Sequence, residues 1–331
     1  MTKKQKNCFL ILVIMCISLY SVFLGRGSVA YASSEIRDIS LGCGSLAGTY
    51  YSVGGVLAKL ITDSVPGMRC TAETTNGTGA VNCRLVGAGK REIAFAGSMT
   101  AYKAYNGPDP EGGFKRSYKE LRGLFSSYPE VYQFVVKESS DIKTIHDLKG
   151  KKIILGAPGS GTTIGATVIL KKHGISLDDM DIDFVKTATA VQMFEDNRID
   201  SFVIGSGMPT AAMVQANTSK KIRILSLDVS AIEEIIKDEP YFSAFTIPAN
   251  TYDGMDYPVQ TVATPALIIT KDDLLSVEEG YNIVKAVYEH SDYLKDAHIQ
   301  GKYFTLDYAL KGMCIPLHPG AAKYFKEVGL M

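Results

Sequence analysis

Residues 152–172 read Lys152-Ile-Ile-Leu-Gly-Ala-Pro-Gly-Ser-Gly-Thr-Thr-Ile-Gly-Ala-Thr-Val-Ile-Leu-Lys-Lys172. Lys152 to Gly156 is a short apolar run of strand length. From Thr163 onward apolar residues recur at helical spacing, and Gly174 suits the left-handed position that ends a helix. Between them lies Gly156-Ala-Pro-Gly-Ser-Gly-Thr-Thr163, rich in glycine and hydroxyls and free of charge. Strand, glycine turn and helix in that order make a βα unit, and repeats of it imply a parallel sheet covered by helices.

The same grammar runs on both sides of this segment. Ile39-Ser40-Leu41 predicts a strand, followed by a helix from Tyr50 to about Thr62 whose Val53, Val56, Leu57, Leu60 and Ile61 share one face. Met68 to Thr74 and Ile93 to Ala96 read as strands around a helix from Gly79 to Ala88. Beyond residue 150, Ile182 to Val185, Ser201 to Gly205 and Ile222 to Leu227 supply further strands, with helices between them. Tyr128 to Val136 and Val259 to Thr270 are long β-type runs that cross between the two units, and the C-terminal helices, Val277 to Leu294 among them, return to the first. The expected architecture is α/β. Two parallel-sheet domains are joined by two crossing strands, with residues 34–130 and 263–331 in the first lobe and 131–262 inserted as the second.

Acidic and basic residues balance at 35 each, so bulk charge does not point toward nucleic acid. Lys3, Lys4, Lys6 and Arg26 fall within residues 1–32, which contain no acid. Three lysines, an apolar run from Cys8 to Leu24 and Ala30-Tyr31-Ala32 read as a cleavable secretion signal, with an uncleaved anchor as the alternative. Removing the segment leaves 31 basic against 35 acidic residues, a mildly acidic exported chain. Cys16 lacks the small residues that precede a lipid-modified cysteine. Cys43, Cys70, Cys83 and Cys314 remain; an oxidising compartment permits disulfides, and sequence does not choose among three pairings. None forms a Cys-x-x-Cys pair, so neither a structural zinc site nor a redox motif is expected.

In doubly wound sheets, ligands bind beyond the carboxyl ends of the strands. Five turns fall there: Gly42 to Tyr51, Thr74 to Thr78, Ala96 to Met99, Gly156 to Thr163 and Gly205 to Thr210. None contains Asp, Glu, Lys, Arg or His, and the acid expected nearby is Glu73. Glycines admit the close approach of a ligand, hydroxyls adapt to it, and free N–H groups at each following helix attract an anion. A charge-assisted hydrogen bond contributes about 1.5–3 kcal/mol. Three or four such bonds match the roughly −8 kcal/mol of micromolar binding. From these turns Ser45, Asn76, Gly77, Thr78, Ser98, Thr163 and Ser206 are candidate ligand contacts. No titrating side chain is expected inside the pocket.

Competing motifs fail on detail. Gly42-x-Gly44 with Gly48 and Glu73 imitates a dinucleotide fingerprint, but the third glycine falls one residue late. Gly156 to Thr162 lacks the lysine of a P-loop, and no Gly-x-Ser-x-Gly occurs. His146, His173, His290, His298 and His318 lie outside the five turns and read as surface or helix-end residues. No metal, cofactor or catalytic group is expected.

A set of short stretches, in order along nearly the whole exported chain, carries a resemblance. These are Gly48-Thr-Tyr-Tyr51 with Gly54-Gly55, Val65-Pro-Gly67, Thr71-Ala-Glu73, Ala104-Tyr-Asn-Gly107, Tyr128-Pro-Glu130, Asp147-Leu-Lys-Gly-Lys151, Gly156 to Thr162, Pro209-Thr-Ala211 and Ile315-Pro-Leu-His-Pro-Gly320. Together they resemble the TAXI family, the extracytoplasmic solute receptors of TRAP transporters. The resemblance implies a two-lobed periplasmic-binding-protein fold of the type II-like kind. It also implies a small carboxylate ligand (glutamate- or glutamine-like, a dicarboxylate or a 2-oxoacid) and integral membrane TRAP permease subunits as partner. Carried onto matching positions, Gly48, Thr49, Tyr50, Ser160, Gly161 and Thr162 contact ligand, Tyr128 enters the cleft and Pro209 marks a loop that closes over it. The third turn departs from the family's usual Phe-Ala-Gln-Ser-Asp and reads Phe95-Ala-Gly-Ser-Met99. The lost amide and carboxylate are acceptors for an α-ammonium, which predicts an apolar-tailed or non-amino carboxylate. The chain is expected to act as a monomer without turnover. An exported enzyme on the same fold, or a surface immunogenic protein with a vestigial cleft, are the alternatives.

Overall fold

The computed structural model describes residues 36–46, 48–75, 79–108 and 114–331. The expected signal at residues 1–32, with Cys8 and Cys16, and the candidate contacts Asn76, Gly77 and Thr78 lie outside the described residues.

Strand β1 (Arg37–Cys43) turns Ile39, Leu41 and Cys43 inward. Helix α1 (Thr49–Ser64) lays Val53, Leu57, Leu60 and Ile61 on the sheet, the spacing of one helical face. Strand β2 (Met68–Thr74), helix α2 (Gly79–Gly87), strand β3 (Ile93–Gly97) and helix α3 (Ser98–Asn106) follow. β1 pairs in parallel with both β2 and β3, as the βα grammar requires. The long strand β4 (Leu121–Lys137) leads into β5 (Lys152–Ile154), α4 (Gly161–Lys172), β6 (Asp181–Asp183), α5 (Thr187–Glu195), β7 (Ser201–Ser206), α6 (Ala211–Lys220), β8 (Ile222–Ile224), α7 (Val229–Asp238) and β9 (Ser243–Ile247). Strand β10 (Val259–Lys271) then returns, and α8 (Val277–Glu289), α9 (Ser291–Ala297) and α10 (Pro319–Glu327) complete the chain.

The strands form one continuous mixed sheet in the order β2-β1-β3-β10-β4-β7-β5-β6, with β8 paired to β4 and β9 to β10. Within each set of βα units the strands are parallel as expected, but the crossing strands join the two sets into one sheet. The crossing strands β4 and β10 run antiparallel to each other and to the neighbours they acquire on either side, β3 and β7. Each changes partners along its length. β4 faces β10 from Leu121 to Val131, then β7 from Val131 to Val136; β10 faces β9 from Val259 to Ala263, then β4 from Ala263 on.

The buried side chains divide at the same place. One core joins Leu41, Leu57 and Ile61 to Phe125, Val284 and Phe325, and a second, around Cys83 and Phe114, includes Leu267 and Ile269. Two more, around Phe134 with Leu170 and Phe194 with Phe202, are built from residues between 131 and 263. Each such side chain contributes about 1.5–3 kcal/mol when buried. Met99 breaks the division: it stands at the start of α3 but packs in the cluster of Tyr132, Phe134 and Val262.

The helix expected from Val277 to Leu294 is two helices, broken at His290 (φ −115°, ψ 28°). Cys43, Cys70, Cys83 and Cys314 are all unpaired, and burial pushes each thiol up to about 12, so all four stay neutral. Among the described residues, no helix is long and apolar enough to cross a membrane.

Candidate functional site

All five uncharged turns connect a strand to the helix that follows it. Four of those helices bring their first turns to one cavity of about 140 Å³. Tyr50 of α1, Gly79 of α2, Gly97, Met99 and Thr100 at the start of α3, and Ser160, Gly161 and Thr162 at the start of α4 line it. The rest of the wall comes from the crossing strands and β7: Glu130, Tyr132, Thr264 and Gly205. First-turn N–H groups have no partner within their own helix, so this is a concentration of donors and of positive dipole ends. Among the described residues, no Lys, Arg or His lines the cavity.

The wall is shaped by glycines that have no room for a side chain. A Cβ on Gly97 would stand 2.7 Å from the Glu130 carboxylate. One on Gly165, within α4, would collide with the Tyr132 hydroxyl, which donates to the Gly161 carbonyl at 2.9 Å. Gly156 sits at φ +113°, a conformation that favours glycine, and lets the chain fold back over Ser160 and Thr163. Ser160 caps α4 by accepting from the Thr163 N–H at 3.1 Å, and the Thr163 hydroxyl donates to the Ala157 carbonyl at 2.7 Å. Thr163 therefore locks the turn and is not on the cavity wall.

Glu130 overturns the expectation of a pocket without titrating groups. It is half-buried, it takes a hydrogen bond from the Tyr50 hydroxyl, and among the described residues it forms no salt bridge. Burial pushes its carboxyl up to about 8, against the opposing effect of that hydrogen bond. Burial and the neighbouring Glu130 in turn hold the Tyr50 phenol well above its ordinary range. Tyr50 is oriented by stacking on Phe95, with centroids 4.8 Å apart and planes 15° apart. Glu73, the acid expected near the turns, is instead paired with Arg91 at 2.6 Å.

Of the other candidate contacts, Ser45 is exposed at the tip of the first turn, where its carbonyl accepts from the Gly48 N–H at 3.0 Å. Gly48 is the N-cap of α1 and Thr49 its first residue. Ser98 is fully buried and its hydroxyl is 3.4 Å from the Tyr241 carbonyl, away from the cavity. Tyr128 is fully buried behind Phe95, and its hydroxyl has no hydrogen-bond partner. The Ser206 hydroxyl turns to the Gly207 carbonyl, and Pro209 follows Met208, whose carbonyl accepts from Gln300 at 2.8 Å. Here the chain between β7 and α6 meets the start of α1: a Cβ on Gly207 would stand 3.0 Å from Thr49, Tyr128 and Gln300 alike. The sequence reading missed Gly79, Gly97, Met99, Thr100, Tyr132, Gly205 and Thr264 as wall residues. Glu130 was legible only as part of the Tyr128-Pro-Glu130 stretch.

The five histidines are at helix ends or on the surface. His173 closes α4, His318 caps α10, His298 caps the short turn Ile299–Tyr303, His290 separates α8 from α9, and His146 pairs with Asp228 at 2.8 Å.

An α/β chain whose two crossing strands join two sets of βα units around a cavity has the architecture of the two-lobed periplasmic binding proteins. It matches that of the periplasmic aliphatic sulphonate binding protein SsuA of Escherichia coli at a TM-score of 0.53 and 16% identity, over 88% of this chain and 83% of that one. The alkanesulfonate-binding protein SsuA of Xanthomonas axonopodis pv. citri, bound to MOPS, matches at 0.52 and 15%, over 88% and 84%. A putative sulfonate-binding SsuA of Methylobacillus flagellatus matches at 0.51 and 12%, over 89% and 96%. These are likenesses of fold. Residues 41–329 match the NMT1-like family, and the chain belongs to it.

Proposed function

We propose that the protein is an extracytoplasmic solute receptor that holds a small carboxylate in the cavity between its two lobes and delivers it to a membrane transporter without chemical turnover. The observation that carries this reading is the meeting of four helix N-termini at one cavity that, among the described residues, has no basic side chain. Backbone N–H groups and dipole ends bind an anion without the desolvation of a long cationic side chain. The volume favours a small ligand: an engineered protein cavity of about 150 Å³ takes up benzene.

The lobes are residues 34–130 with 263–331, and 131–262, and they move about the crossing strands as ligand enters and leaves. Met99 in the second lobe's core, and Gln300 against Met208, favour the closed arrangement. Ser160, Gly161, Thr162 and Tyr50 contact the ligand, with Gly48 and Thr49 beside it. The nine stretches shared with the TAXI family favour a TRAP-type permease as the partner, and genes adjacent to this one that encode multi-span membrane subunits would support it.

The test is a thermal-shift screen of the exported chain with glutamate, glutamine, 2-oxoglutarate, dicarboxylates and, because the fold neighbours bind them, alkanesulfonates. A ligand at 100 times its Kd adds about 2.7 kcal/mol. The reading expects at least one carboxylate to stabilise the protein and to be recovered unchanged. Stabilisation by none, or consumption of the one that binds, overturns it.

A further inference from the structure

Glu130 is the one ionisable carboxyl on the cavity wall among the described residues, and the turns do not explain it. A receptor for a plain anion has no use for a carboxylate among its helix N-termini. In its ionised form the group would repel that anion and weaken the binding that the helix dipoles favour. Evidence for a role comes from how the group is held. Gly97 leaves it room, and Tyr50, itself fixed on Phe95, donates to it. The ionisable groups that feel its charge are phenols: Tyr50 from α1, Tyr128 and Tyr132 from its own strand, and Tyr308 from the turn Leu306–Tyr308, and of these Tyr50 acts on it in return through its hydrogen bond. None supplies a positive charge. The carboxyl is positioned and, among the described residues, without a cation.

We propose that Glu130, positioned by Tyr50, is the subsite for a ligand ammonium group, so that the ligand is a small zwitterionic amino acid whose carboxylate lies on the helix N-termini beside it. The inference rests on the receptor reading above and narrows its ligand class. It reverses the expectation drawn from the third turn, because the acceptor absent at Gly97 and Met99 is supplied by β4. It also implies a proton exchange. In the free protein Glu130, raised to about 8, carries a proton near neutrality. When the ammonium arrives, its N–H groups donate to the carboxylate, and the displaced proton passes to solvent.

Matched pairs separate the two readings. Alanine with pyruvate, and glutamate with 2-oxoglutarate, differ at the α-ammonium and are titrated calorimetrically into the full exported chain. In each pair that binds, the amino acid is expected to bind about ten- to a hundredfold more tightly, the range of a charge-assisted hydrogen bond. Glu130→Gln should remove that preference and leave 2-oxoacid affinity unchanged or improved. The amino-acid affinity of the natural protein should rise with pH to about 8, with proton release visible as a dependence of heat on buffer ionisation; E130Q should show neither. Equal affinities within each pair, a preference for the 2-oxoacid, or a preference that survives in E130Q overturns the proposal and leaves the receptor reading standing. Failure of every carboxylate to bind overturns both. A thermal melt of E130Q matching the natural protein at pH 7 shows that the variant is folded; should it melt lower, Tyr50→Phe, which keeps the carboxyl but removes its donor, must weaken amino-acid binding selectively or the proposal fails.

Discussion

The two walls of the cavity begin their helices differently. On one, α1 and α3 start from Gly48 and Gly97, and no side chain caps either. On the other, α4 starts from Ser160, which caps it with its own hydroxyl. Away from the cavity, α6 and α8 are capped by Thr210 and Ser276, the latter as a full capping box. α5 and α7 also lack a side-chain cap, but they start at Lys186 and Asp228, which are exposed to solvent. Glycine at an N-cap costs only a few tenths of a kcal/mol relative to serine. The contrast shows a wall completed by its own sequence facing one that an anion can complete, at little cost to the fold.

The largest effect should follow from filling the uncapped wall. Gly97→Ala places a methyl 2.7 Å from the Glu130 carboxylate and drives it into the cavity. Ligand affinity should fall about a hundredfold or more while the melting cost stays within the roughly 1–3 kcal/mol of an overpacked site. Unchanged affinity by calorimetry would mean that this wall does not touch ligand. Behind the capped wall, Gly165→Ala pushes on the Tyr132 hydroxyl and should cost about 1–3 kcal/mol in denaturant unfolding. Tyr132→Phe in the same chain should recover part of the loss, and no recovery would show that the strain lies elsewhere. Ser160→Ala should lower stability by about 1 kcal/mol. Gly48→Ser should do the reverse, gaining a few tenths while weakening ligand binding about tenfold, because the helix then caps itself.

Stability of the free protein should also depend on pH through Glu130. Its folded value of about 8 lies above the ordinary 4.5, so between those values the folded state holds a proton that the unfolded chain releases. Stability conferred below 4.5 is therefore lost as pH rises to about 8 and is constant beyond. Glu130→Gln should flatten that decline, measured as the difference between the two proteins' unfolding curves.

Most of the scaffold could be read from the chain because it is periodic. Met68 to Thr74 is a strand as expected, and α1 buries Val53, Leu57, Leu60 and Ile61 as their spacing requires. The direction of the crossing strands was not legible, since an apolar run has the same composition parallel or antiparallel. His290 at the break between α8 and α9 has no glycine or proline to announce it. The site was legible where backbone makes it, in the glycine and hydroxyl turns, and illegible where a strand makes it. Glu130, Tyr132 and Thr264 lie on β4 and β10, and their alternation says only that they point to one face or the other. Which face borders a cavity depends on partners more than a hundred residues away.

The central claim, that the uncapped helix starts bind the ligand's carboxylate, is tested most directly by amide NMR of the exported chain titrated with whichever carboxylate stabilises it. The largest shifts are expected at the first-turn N–H groups of α1 and α3, Thr49 and Tyr50 and Ser98 to Thr100, with smaller ones at Gly161 and Thr162. Shifts confined to surfaces remote from the cavity, with those amides unmoved at saturation, would contradict it.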